Sequence, residues 1–202
     1  MIVRKKECLR QNIRKLNWKL QKSVGQVEWV MGLFLLLFLG ILLSTLLQMQ
    51  SYRATSLYLE DALAASNLAS AVISVEEYGI SHAILIENPL EAYNRYCTAV
   101  SGNLNLNEQW EGTNGALISG KVKIEKYIIY NVRDNTVTVH SMDTGGQLTT
   151  WQGSLGTVKA PNDIMITSTS VYSELSFPVE GIMGINVYAH KGKLVDIVSQ
   201  YG

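Results

Sequence analysis

The longest uncharged stretch of the chain is Val30–Leu47, VMGLFLLLFLGILLSTLL, eighteen residues that Gln48, Met49 and Gln50 extend softly. As a helix, at about 1.5 Å per residue, such a run nearly matches a hydrocarbon core of about 30 Å. Trp29 stands at one edge and Tyr52 near the other, where aromatic rings settle among lipid headgroups. Nothing polar marks a solvent face, which argues against the core helix of a soluble protein. A secretory signal peptide has a shorter apolar region and a small-residue cleavage site, whereas Gln48-Met49-Gln50-Ser51-Tyr52-Arg53 lacks the A-x-A pattern. A membrane helix is therefore expected over 24–50. Beyond it, residues 52–75 contain no Gly or Pro, and Leu57, Leu59, Leu63, Leu68 and Val72 recur at near-helical spacing among many Ala. The helix is expected to run on outside the membrane through 51–80 and to turn this apolar stripe towards a neighbouring element.

After residue 80 the period changes. Asn88-Pro89-Leu90-Glu91 is a helix start, with Asn as the cap and Pro at the first helical position. A short second helix should follow and end before Gly102, and Asn-rich sequence to Gly115 reads as a loop. From there strands dominate. Lys121–Tyr130 opens with polar and apolar residues in alternation, Arg133-Asp134-Asn135 is a turn, and Thr136–His140 returns, which is a hairpin. Asp143-Thr144-Gly145-Gly146 turns into Leu148–Trp151. Ile164–Phe177 is a further strand with Pro178 as its breaker, and Gly184–Ala189 and Leu194–Ser199 form a last hairpin about His190-Lys191-Gly192-Lys193. The expected fold is α+β: a long N-terminal transmembrane and amphipathic helix, a short second helix, and a C-terminal antiparallel β-sheet, the last two making one α+β domain over 81–202.

Net charge is zero, but its distribution is uneven. Residues 1–23 hold eight Lys or Arg against the single acid Glu7, while residues 51–202 hold nine against fifteen Asp or Glu. Basic residues beside an apolar span are retained in the cytoplasm. This predicts a cytoplasmic leader over 1–23 and an extracytoplasmic C-terminal domain on a single-pass cell-membrane protein. The acidic domain gives no reason to expect nucleic acid as a partner. Cys8 and Cys97 would then lie on opposite sides of the membrane and could not pair.

At the inner boundary stands Lys22-Ser23-Val24-Gly25-Gln26-Val27-Glu28-Trp29, followed at once by the apolar run. This join resembles the N-terminal motif of type IV pilin-like proteins, and more narrowly that of TadE-like pseudopilins of the tight-adherence (Flp/Tad) pilus system. In that family a basic leader ends in a small residue, and a dedicated prepilin peptidase cuts there on the cytoplasmic side. The fifth residue of the mature chain is Glu, followed by an aromatic and a long apolar helix. Applied here, the resemblance makes Ser23 and Val24 the processing site and Glu28 and Trp29 the assembly residues. Ser23 stands where the family usually has Gly, and Trp29 where it often has Phe or Tyr. The resemblance covers residues 20–75. It implies a helix lying against a sheet, other pilin-like subunits and secretion machinery as partners, and membrane lipid around the span. Glu28 would pair with the new α-amine of a neighbouring subunit, each charge lowering the other's desolvation cost. Alternatively Glu28 is an interfacial residue turned to water or to Lys22. Gly32 and Gly40, eight apart, share one helix face and would let helices approach closely.

No catalytic set emerges from the rest of the chain. His82, His140 and His190 lie far apart and read as surface or turn residues, and Glu76-Glu77 reads as a solvated helix end because helix neighbours do not face each other. The motifs H-E-x-x-H, G-x-G-x-x-G and the P-loop are absent, as is calcium-loop spacing around Asp134 and Asp143. Neither cofactor nor metal is expected. The expected function is that of a structural subunit, a minor pilin or pseudopilin of a bacterial Flp-like pilus or of its assembly machinery. The alternative is a signal-anchored cell-surface binding or sensing module. An anchored enzyme is the least favoured of the three.

Overall fold

In the computed structural model the backbone is described over residues 2–113, 118, 120–180 and 186–197, and side chains within these ranges from residue 27 onward, apart from 180, 186 and 187. The chain divides into two compact units, Met1–Tyr52 and Arg53–Gly202. Helix α1, Ile2–Ser70, contributes to both. It is the one helix among the described residues that is long and apolar enough to cross a membrane, which is compatible with a single-pass anchor. Its large apolar side chains from Val27 to Leu47, Leu33 to Leu39 among them, are exposed.

The second unit is α+β. The last turns of α1 are followed by α2, Val75–Ser81, and α3, Pro89–Asn103, then by strands β1 (Lys123–Arg133), β2 (Thr136–Met142), β3 (Leu148–Ser154), β4 (Ser170–Glu180) and β5 (Asn186–Asp196). The strands form one sheet in the order β3-β2-β1-β4-β5, every neighbouring pair antiparallel. Beyond a register shift between Ile124 and Lys126, alternation from Tyr127 to Tyr130 separates two cores. Tyr127 and Ile129 face α1 and α3, packing with Leu59, Leu63, Tyr96, Val100, Met142 and Leu175. Ile128 and Tyr130 face the opposite way and pack with Val137, Val139, Val158, Ile166 and Tyr172. The sheet is thus covered on one face by helices and on the other by the connection between β3 and β4.

The helix that reaches the sheet buries a different stripe from the one its leucines suggest. Leu59, Ala62, Leu63, Ser66, Asn67 and Ser70 are buried, at helical three- and four-residue spacing, whereas Leu57, Leu68 and Val72 are exposed. The C-terminal half of this stripe is polar, and most of its groups are satisfied locally or across the interface, Asn67 Oδ1 being buried without a hydrogen-bond partner among the described residues. Ser66 Oγ donates to Ala62 C=O (2.7 Å) and accepts from Asn103 Nδ2 (2.9 Å). Asn67 Nδ2 donates to Lys193 C=O (3.0 Å) and Val171 C=O (3.4 Å), tying the helix to β5 and β4. Tyr127 Oη donates to Ser70 Oγ (2.8 Å). The helix also ends at Ser70 rather than near 80. Ala71–Ser74 leave it, and Ser74 caps α2 by accepting from Glu77 N–H (3.2 Å).

Three strand expectations are corrected. β4 begins at Ser170, because Ile164–Thr169 belong to a turn in which Ala160 N–H bonds Ile164 C=O and Ile166 plugs the second core. Pro178 does not stop β4. It lies two residues beyond Ser176, the last partner of β1, so on that flank there is no ladder for the missing N–H to break. His190-Lys191-Gly192-Lys193 is not a turn but the middle of β5, paired throughout with β4. Gly192 is needed for a close approach: a Cβ there would stand 2.3 Å from Tyr172 Oη. The expected ends of that hairpin at Gly184 and Ser199 lie outside the described residues. The expected second helix starts at its Asn88 cap, where Asn88 Oδ1 accepts from Glu91 N–H (3.1 Å), and ends one residue past Gly102. The turns at Asp134-Asn135 and Asp143–Gly146 fall where the sequence sets them. In the second, Asp143 Oδ1 accepts from Gly145 and Gln147 N–H.

Candidate functional site

The residues singled out for processing and assembly all lie on α1, within the first unit. Ser23 and Val24 are in continuous helix, and their side chains are outside the described residues. Glu28 and Trp29 are exposed. Glu28 lines one shallow recess with Trp29, Gly32, Leu33, Leu35 and Leu36. Gly32 lies one turn after Glu28 and Gly40 two turns further, and neither has another atom near the place where a Cβ would stand. The apolar run thus has one carboxylate, Glu28, at the head of a face notched by two glycines. Such a notch admits a second helix backbone, and a carboxylate entering that contact needs a cation opposite it.

In the second unit several charged groups hold α1 and α2 to the sheet. Glu60 reaches across to β5, pairing with Lys191 and, at 3.6 Å, with Lys193. Lys191 also bonds Ser56 Oγ (3.0 Å). Lys191 and Lys193 are two apart on one strand and so share a face, which is why one carboxylate can meet both. Arg133 pairs with Glu77 (2.8 Å), fixing α2 to the end of β1. The Tyr93 and Tyr96 rings lie tilted against Tyr127, with centroids 5.5 and 4.7 Å from its ring, and Cys97 packs in the same core. Burial pushes the Tyr93 hydroxyl up to about 12 and moves Tyr96 and Tyr127 further in the same direction. Burial likewise raises the Cys97 thiol. A thiol held protonated in an apolar setting is a packing group rather than a nucleophile.

The histidines are dispersed. His82 is the left-handed cap of α2 and packs edge-on against Tyr78. His140 on β2 bonds Thr150 Oγ1 (3.0 Å), and its burial lowers its pKa. His190 lies in β5, 3.7 Å from Glu174, and not in a turn. Among the described residues no group of three His, Cys, Asp or Glu side chains could hold a metal ion. A shallow recess lined by Tyr93, Trp110, Lys121, Lys123, Glu125 and Thr144 offers charge and ring faces but no His or Cys.

Sequence reasoning missed the buried seam of Ser66, Asn67 and Ser70. The signal for it was available: three small polar residues at helical spacing in phase with Leu59 and Leu63. Comparison of the chain with protein-family models, with curated proteins and with solved structures finds no match.

Proposed function

We propose that this chain is a membrane-anchored structural subunit of a pilin-like assembly, processed between Ser23 and Val24. The observation that carries the reading is the join between a basic leader, Ser23, Glu28-Trp29 and an uncharged span, on a helix that continues to Ser70 and there packs on an antiparallel sheet. In this reading residues 1–23 are cytoplasmic and the second unit is extracytoplasmic, in keeping with the excess of Lys and Arg before the span. Cleavage removes the basic leader and leaves an α-amine four residues before Glu28. The glycine-notched face then packs on a neighbouring subunit, and Glu28 meets that subunit's amine where lipid excludes water. The pair fixes axial register between helices. Gly25, two residues after Ser23, favours local unwinding for the peptidase, because Gly in a helix costs about 1 kcal/mol relative to Ala.

The test of this reading is Glu28→Gln, which keeps shape and removes charge. Membrane insertion should be retained, since the span becomes more apolar. Incorporation into the assembly should fall sharply, because leaving one charge of such a pair without its partner costs on the order of 3–5 kcal/mol. Equal incorporation of Glu28→Gln and wild type, measured by cross-linking of subunits in membranes, would remove the charge pair from the account.

A further inference from the structure

β3 is an edge strand, joined to the sheet only through β2. Natural sheets usually protect such an edge with charge, proline or a covering segment. β3, Leu-Thr-Thr-Trp-Gln-Gly-Ser, has no charged residue and no proline, and among the described residues no strand pairs with its outer side.

The direction of its backbone groups follows from the ladder. At the two ends of the β2–β3 pairing, Asp143 N–H donates to Gln147 C=O (3.2 Å) and Leu155 N–H donates to Asn135 C=O (3.0 Å). Hydrogen-bonded and non-hydrogen-bonded pairs alternate in an antiparallel ladder. The odd positions Thr149, Trp151 and Gly153 therefore turn their backbone groups to β2, and the even positions Leu148, Thr150 and Gln152 turn theirs outward. The next outward carbonyl, that of Ser154, is already taken by Thr157 N–H (3.1 Å) and Oγ1 (2.7 Å). The free template thus ends at the strand's end.

Trp151 is the middle residue of the seven and is 50% exposed. Its ring lies across Gly153: a Cβ at 153 would stand 3.1 Å from the ring's Cζ3 and 2.6 Å from Val158 Cγ2. The glycine leaves room for an indole laid flat along the edge.

From these observations we propose that β3 pairs with β3 of a second copy of this chain, antiparallel about a twofold axis through Trp151, so that one sheet runs through both molecules. This register places Trp151 opposite Trp151, Thr150 opposite Gln152, Thr149 opposite Gly153 and Leu148 opposite Ser154. Thr150 and Gln152 then form the hydrogen-bonded pairs, and the two tryptophans a non-hydrogen-bonded pair, the closer kind, in which side chains meet. An uncharged strand meets itself without repulsion. The other edge strand, β5, carries His190, Lys191 and Lys193, the charged kind of edge that discourages pairing, with its lysines held by Glu60. The contact is isologous and closes at two copies. It does not depend on leader processing or on Glu28.

The test is native mass spectrometry of the full chain released from detergent micelles at micromolar concentration. The expected species is a dimer. Gln152→Pro removes an outward N–H that the β2 ladder does not use, so it should weaken the dimer at least tenfold while the melting temperature stays within a few degrees. Should that proline disturb the strand, the double variant Thr150→Lys with Gln152→Lys decides, since it sets lysine opposite lysine on both sides of the axis. A monomeric wild type would overturn the proposal, as would a dimer that both variants leave intact. Wild-type species larger than a dimer that the same variants dissolve would overturn it in favour of head-to-tail pairing of β3 on β5.

Discussion

Leu63 and Leu68 are identical residues five positions apart on one helix, and the structure assigns them opposite fates. Leu63 is 1% exposed and packs in the core between α1, α3 and the sheet, while Leu68 is 52% exposed. Truncating Leu63 to Ala removes buried methyl groups and leaves a cavity that the sheet behind it cannot close, at a cost of about 2–5 kcal/mol. Truncating Leu68 removes surface that is already half in water, and Ala is at least as good a helix former, so the change should stay within about 0.5 kcal/mol. For a unit of this size each kcal/mol moves the melting temperature by about 2–4 °C, so a loss near 3 kcal/mol corresponds to about 6–12 °C. The assay is thermal unfolding of the full chain in detergent, followed by near-ultraviolet circular dichroism, to which the clustered tyrosines report. Leu63→Ala should lower the midpoint by that margin and Leu68→Ala by no more than about 2 °C. Equal losses, or a larger loss for Leu68→Ala, would refute the assignment of the helix face.

Two further outcomes follow from the core. Gly192→Ala drives a Cβ against Tyr172 Oη, which itself bonds Glu174 at 3.1 Å. Overpacking of that kind costs about 1–3 kcal/mol, and an unchanged melting temperature would mean that the close approach is not there. Burial holds Tyr93, Tyr96 and Tyr127 protonated above the ordinary 10.0 of an unfolded tyrosine. At pH above 10 the unfolded chain therefore binds fewer protons than the folded one, and stability should be full below that pH and fall as it rises through it. Tyrosinate absorbance from these residues should appear together with the loss of circular dichroism, and its appearance in a fully folded protein would contradict their burial.

The sequence announced what periodicity controls and hid what packing decides. Eighteen uncharged residues make a helix apolar enough to cross a membrane, and the alternation that opens Lys121–Tyr130 makes a strand, so the apolar helix and the β1–β2 hairpin were both legible. The face of α1 was not, because Leu57 and Leu68 advertise hydrophobicity that the sheet never uses, while Ser66, Asn67 and Ser70 are buried by virtue of hydrogen bonds to distant partners. Gly192 reads as a turn residue among lysines. Its reason lies in the Tyr172 ring on the neighbouring strand, and the lysines beside it are held by Glu60 on α1. Pro178 reads as a breaker until the length of β1 is known. At the candidate site, the order of Ser23, Glu28 and Trp29 is purely local and so is visible in sequence. What Glu28 would meet under the proposed reading lies on a second chain, and one chain does not contain it.

The measurement that bears most directly on the proposed function is the intact mass of the protein purified from cell membranes, with sequencing of its N-terminus. The account predicts a chain beginning at Val24, lighter by residues 1–23, and a bulky residue in place of Ser23 should leave the longer form in the membrane. A chain that still begins at Met1, in cells whose peptidase processes other prepilins, would contradict the pilin-like reading and leave a signal-anchored surface module in its place.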